Sequence, residues 1–161
     1  MIVTDIGFPV HAAHHAQAQM TKKQIVGTWS VVSAVYEVDG EKSDIFGPNP
    51  MGRFIFTFDG YFTLTVMRAD RPKFASNNST TGTAEENQAA MAGLIHLYGS
   101  YTFNSDGWQT LHIAGSSFPN WNGAKQERRI QVKGDEMTYI NPTPPTGTGT
   151  ITLTLKRTKQ G

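Results

Sequence analysis

The sequence predicts an all-β protein, an antiparallel up-and-down barrel of about eight to nine strands with one α-helix packing on it or plugging it. Three observations carry this. Most segments alternate apolar and polar residues with the period of a strand. Asp39-Gly40, Asp59-Gly60, Asp106-Gly107 and Gly134-Asp135 separate them as hairpin signals. Helical patterning is confined to one convincing stretch. An open sheet of this size leaves two edges, and closure removes them.

The bulk properties narrow the class. A chain of 161 residues suits one domain with a real core. The net charge of +1 is dispersed, with no basic stripe, which argues against a nucleic-acid partner. Cysteine is absent, so disulfides, thiol catalysis and thiolate metal sites are excluded. No apolar run reaches the length of a membrane span. Residues 1–20 read as a flexible N-terminal extension before a barrel domain at 21–158. They lack the basic and apolar regions of a signal peptide, and the expected location is cytoplasmic. His11, His14 and His15 have a spacing that would hold a metal on a helix. The plainer reading is a loose alanine-rich segment, and no metal is expected.

In chain order, Thr21 to Gln24 forms a capping box for one helical turn. The first strand spans about 27–38, and residues 42–52, rich in proline, read as a loop. Strands follow at 53–58 and 61–68, then a polar loop at 69–82. Thr83-Ala84-Glu85-Glu86 caps a helix over about 84–97, with Met91, Leu94, Ile95 and Tyr98 as its apolar stripe. Further strands fall at 99–103, 110–116, 127–133, 137–141 and 150–157.

The strand at 127–133 carries an anomaly. Glu127, Arg129, Gln131 and Lys133 share a solvent face, so Arg128 joins Ile130 and Val132 on the interior face. A buried arginine needs a partner. It either pairs with an internal acid, snorkels past the rim, or holds a carboxylate, phenolate or enolate of a ligand. His112 lies on the neighbouring strand, and the two suggest a polar cluster inside an apolar container. As candidate catalytic groups, His112 is the general acid/base, with Arg128 and Tyr101 stabilising oxyanion charge. The candidate ligand-binding residues are Tyr36, Arg53, Tyr61, Arg68, Tyr98, Phe118, Asn120, Trp121 and Tyr139. They offer phenols, guanidinium groups and the aromatic turn Phe118-Pro119-Asn120-Trp121. Ser116 and His112 share a face but sit roughly 13 Å apart, too far for a dyad. No nucleophile elbow, phosphate loop or dinucleotide fingerprint occurs, and no cofactor is expected.

Several motifs carry a family resemblance. Gly27-Thr28-Trp29 after a helical turn resembles the G-x-W opening of lipocalins. In that family the tryptophan closes one barrel end under an arginine of the last strand, a role the resemblance gives to Arg157. Five further motifs resemble the bacterial and fungal lipocalin-like domain family. They are Phe46-Gly47-Pro48-Asn49-Pro50 with Gly52-Arg53, Asp59-Gly60-Tyr61, Arg68 with Arg71-Pro72 and Phe74, Gly82-Thr83 with Glu85-Glu86, and Phe118 to Trp121. The resemblance covers about residues 23–157. It implies a ligand-enclosing barrel, and some relatives are reported as cyclases or isomerases in natural-product pathways. Two departures make the expected pocket less polar. Ala114 stands where the family has an acid, and Leu94 and Leu97 stand where it has tyrosines.

The resulting expectation is a barrel that binds a small, mainly hydrophobic organic molecule. The alternative is a cofactor-independent isomerase or cyclase acting on a small natural-product or aromatic substrate by acid/base catalysis. A third class, a partner-binding domain, would leave the barrel packed solid. The expected partner is the small molecule, with neither nucleic acid nor membrane, and a homodimer is an open alternative.

Overall fold

Nine strands form one antiparallel sheet in the order β2-β1-β3-β4-β5-β6-β7-β8-β9, and β1 also pairs with β9. That last pairing closes eight strands into a barrel and leaves β2 outside the closed ring. The computed structural model describes residues 20–159. The extension with His11, His14 and His15 therefore lies outside the described residues.

The chain opens with α1 (Lys22–Ile25), capped by Thr21 and Gln24 in a reciprocal capping box. β1 (Gly27–Val38) is long enough to pair with three partners. Its first part runs beside β3 (Met51–Phe56), its middle beside β9 (Thr150–Arg157), and its end beside β2 (Glu41–Asp44). The β1–β2 turn uses Asp39 and Gly40, both at positive φ (51° and 80°), as a tight antiparallel reversal requires. The chain from 41 to 44 is thus a strand and not loop, although all four residues are exposed. β4 (Tyr61–Met67) follows a turn that leaves Phe58 exposed outside the sheet.

The predicted helix is shorter than the sequence suggests. α2 (Ala84–Ala92) has its capping box, with Thr83 Oγ1 accepting from the Glu86 amide at 3.1 Å, but it stops at Gly93. Residues 94–98 continue as β5 (Leu94–Phe103), because β4 needs an antiparallel neighbour. Leu94, Ile95 and Tyr98 therefore belong to a strand, and Met91 is left exposed on a helix that buries no residue. The helix rests at the end of β5 and lines no part of the cavity described below. β6 (Trp108–Ser116), β7 (Lys125–Lys133) and β8 (Glu136–Asn141) complete the barrel, with a one-turn 3-10 helix (Pro119–Trp121) between β6 and β7.

The inward positions follow the period of two. Phe54, Phe56, Leu64, Leu97, Leu111, Ile130, Met137 and Leu153 are all buried. At one end α1 closes the barrel: Ile25 and Trp29 are fully buried, and Trp29 Nε1 donates to the Ile25 carbonyl at 2.8 Å. Arg157, paired with Trp29 in the β1–β9 register, stacks on the indole as the lipocalin resemblance implies. The opposite end is framed by the loops at 45–50, 117–124 and 142–149.

Candidate functional site

Packing is complete at the α1 end and incomplete at the other. Phe54 and Tyr139 meet edge to face, 5.1 Å between ring centroids, and Phe56 lies beneath them against Tyr101. Above this aromatic floor the inward side chains are smaller: Leu64, Val66, Leu97, Ile151 and Leu153. They cannot fill the lumen, and a cavity remains with a rim of Ile45, Phe46, Trp121 and Pro145. Its volume is about 70 Å³, more than the roughly 10–15 Å³ that one water needs. The lumen is therefore not packed solid.

The cavity lining is almost wholly apolar, and its polar side chains are Arg128, Asn141 and the phenol of Tyr139. Arg128 is 2% exposed. It donates through Nη1 to the Glu127 carbonyl at 2.8 Å and through Nη2 to Gln126 Oε1 at 2.6 Å. Its guanidinium carbon lies 5.9 Å from the Trp121 ring centroid, within cation–π range. Burial pushes the guanidinium pKa down, and the Tyr139 hydroxyl beside it pushes the other way. Tyr139 is fully enclosed, and burial holds its phenol well above the ordinary value against the pull of the Arg128 charge. Its hydroxyl donates to Gln109 Oε1 at 3.3 Å. Gln109, the cross-strand partner of Arg128, is itself fully buried, and its Nε2 has no hydrogen-bond partner among the described residues.

Of the candidates named from sequence, the structure brings together Arg128, Trp121 and Tyr139. The others lie elsewhere. His112 is exposed on the outer face, because Leu111 and Ile113 take the inward positions on either side of it. The expected interior cluster of His112 with Arg128 is thus replaced by one of Arg128 with Gln126, Gln109 and Tyr139. Tyr101 is buried in the closed end, where its hydroxyl donates to the Thr57 carbonyl at 2.7 Å. Burial, followed by the Asp59 charge, raises that phenol's pKa. Tyr36 donates to the Thr148 carbonyl at 3.1 Å and ties down the 142–149 loop. Arg53 bonds Ser30 Oγ on the outer surface. Arg68 forms a two-pronged ion pair with Asp70, at 2.9 and 2.8 Å, beneath Gly47. Tyr61 and Tyr98 face solvent, 60% and 52% exposed. Phe118 supports Trp121 edge to face at 5.7 Å without lining the cavity, and Asn120 is exposed on the 3-10 turn.

Sequence reasoning missed Asn141, Gln109 and Gln126. The signal was present for all three, since Gln126 keeps the inward parity of Arg128 and Ile130. Asn141 keeps the inward parity of Met137 and Tyr139, and Gln109 that of Leu111 and Ile113.

The comparisons with known proteins fit this geometry. The chain is similar to the 4'-hydroxy-3'-methoxypropiophenone carrier protein ppsC of Aspergillus oryzae (strain ATCC 42149 / RIB 40). The two are 33% identical over 86 residues, covering 48% of this chain and 78% of that protein. The lipocalin-like barrel and the carrier among its relatives both support small-molecule binding in general. The lipocalin-like domain model matches residues 26–158, and the chain belongs to that family.

Proposed function

We propose that this protein is a carrier that holds one small, mainly apolar aromatic molecule in the cavity between the 45–50, 117–124 and 142–149 loops. The observation that carries this reading is an apolar void with a single buried guanidinium in its wall. Such sites hold a ligand by its apolar surface and orient it by a few polar groups. The carrier among its relatives supports the same reading, and it makes a hydroxylated aryl ketone the first molecule to try.

The alternative, an isomerase or cyclase, needs a group to move a proton. The residues lining the cavity include no Asp, Glu, His or Lys, and the one phenol among them, Tyr139, is held neutral by burial and already donates to Gln109. The binding reading needs no such group, which favours it.

The test uses tryptophan fluorescence. Trp29 is sealed in the closed end and Trp108 lies on the outer face against Arg129, so Trp121 alone borders the cavity. Titration with 4'-hydroxy-3'-methoxypropiophenone is expected to give saturable quenching, with a one-to-one stoichiometry by calorimetry. In Trp121→Phe most of the quenching disappears while calorimetric binding persists. No saturable binding of this or any related aryl ketone would sink the reading.

A further inference from the structure

The cavity's cation says something about the charge of its ligand, on the reading that the cavity binds an aromatic molecule. The ion pairs among the described residues lie at the surface, and none includes Arg128. Its two hydrogen bonds go to neutral oxygens. A guanidinium carries more N–H donors than these bonds use, and an uncompensated buried charge is costly.

The neighbours do not supply the missing charge. On its own strand Gln126 is neutral, and the Glu127 carboxylate turns outward to accept from Thr110 at 3.0 Å. From β6 comes Gln109, from β8 come Tyr139 and Asn141, and from the 3-10 turn comes Trp121. Of these only Tyr139 titrates. Burial keeps it a neutral phenol, already donating to Gln109. The counter-charge is therefore left to the ligand.

We infer that the cavity selects its aromatic ligand as a phenolate, with the ionised oxygen against the Arg128 guanidinium and the ring in the apolar space. A carboxylate would bring the same charge, concentrated on two oxygens. A phenolate spreads its charge into the ring and costs less to strip of water in a lining this apolar. The guanidinium stays charged at any ordinary pH. Bound beside it, the ligand's phenol ionises more readily than in water, because an opposite charge favours the ionised form. Affinity then rises with pH between the bound and the free pKa of the ligand, and is flat above the latter.

Absorption spectroscopy tests this, since a phenol conjugated to a para ketone absorbs at longer wavelength once ionised. The probe is 4'-hydroxy-3'-methoxypropiophenone, about one pH unit below its own pKa. With saturating protein the expected spectrum is that of the phenolate, and 3',4'-dimethoxypropiophenone binds at least about tenfold more weakly. Arg128→Met, which keeps an unbranched apolar stem, is expected to lose the spectral shift. Binding with the neutral phenol spectrum, or equal affinity for the dimethoxy ether, overturns the inference and leaves the carrier reading intact. Preference for 3,4-dimethoxybenzoate overturns the phenolate assignment. If neither ketone binds, the failure belongs to the carrier reading. The wild-type spectrum decides the matter even if Arg128→Met does not fold.

Discussion

The guanidinium carbon of Arg157 lies over the ring of Trp29, 4.1 Å from its centroid, at the end of the barrel farthest from the cavity mouth. It also donates to the Gln24 and Val26 carbonyls at 2.8 and 2.9 Å. One side chain of the last strand thus fastens the first helix and the first strand together. Arg157→Ala removes the stack and leaves both carbonyls to water. We expect a loss of about 2 kcal/mol in urea unfolding, with ligand affinity changed less than about twofold because the site is at the other end. A large loss of affinity at unchanged stability would mean the two ends are coupled.

Filling the cavity separates a ligand site from an accidental void. Leu153 is buried and lines the cavity. Leu153→Phe places a ring where the ligand is expected. Overpacking a dense core costs about 1–3 kcal/mol, but here the ring enters empty space. The thermal midpoint should move by no more than about 4 °C, while affinity for the aryl ketone falls at least about tenfold. Undiminished binding would place the ligand outside the barrel.

His112 allows a direct trial of the acid/base alternative. It is exposed on the outer face, opposite Ser100 on β5 and Lys125 on β7. His112→Ala should change stability by less than about 0.5 kcal/mol, as surface substitutions usually do. Ligand affinity by calorimetry should also stay unchanged. Any turnover that His112→Ala abolishes would revive the enzyme reading.

The long 69–82 loop has its own pH dependence. The Glu86 carboxylate accepts from the Ala75 and Thr83 amides, both at 2.9 Å, and these bonds hold its pKa below the ordinary value of 4.5. A depressed folded-state pKa stabilises above the unfolded value, and the effect is lost as pH falls through the folded one. Protection of the Ala75 and Thr83 amides, taken as the exchange rate relative to an unstructured amide at the same pH, should therefore be lost only as the pH drops below about 4.5. In Glu86→Ala that protection should be low at every pH. Protection that survives in this variant would assign it to the loop's other bonds.

Much of the barrel was legible because its signals are local. Period-two alternation and the Asp-Gly turns act within a few residues, and Gly27-Thr28-Trp29 with Arg157 marked the closed end. Two elements were misread for a non-local reason. Leu94, Ile95 and Tyr98 suit a helix stripe as well as a strand, and only β4's need for a partner decides. Glu41 to Asp44 has no apolar signal and is a strand because the preceding turn lays it against β1.

The candidate site divides in the same way. Arg128 points inward because its strand neighbours alternate unambiguously. The same alternation, with Leu111 and Ile113 inside, turns His112 outward. The hydrogen-bond partners of Arg128 are local, Gln126 and the Glu127 carbonyl, whereas the buried side chains from other strands that surround it depend on tertiary structure. Gln109 and Tyr139 are 30 residues apart, and which inward side chains converge depends on the register of each ladder. Tertiary structure also decided that the lumen stays open above Phe54 and Tyr139. That depends on the summed volumes of side chains from several strands, a quantity no single stretch of sequence contains.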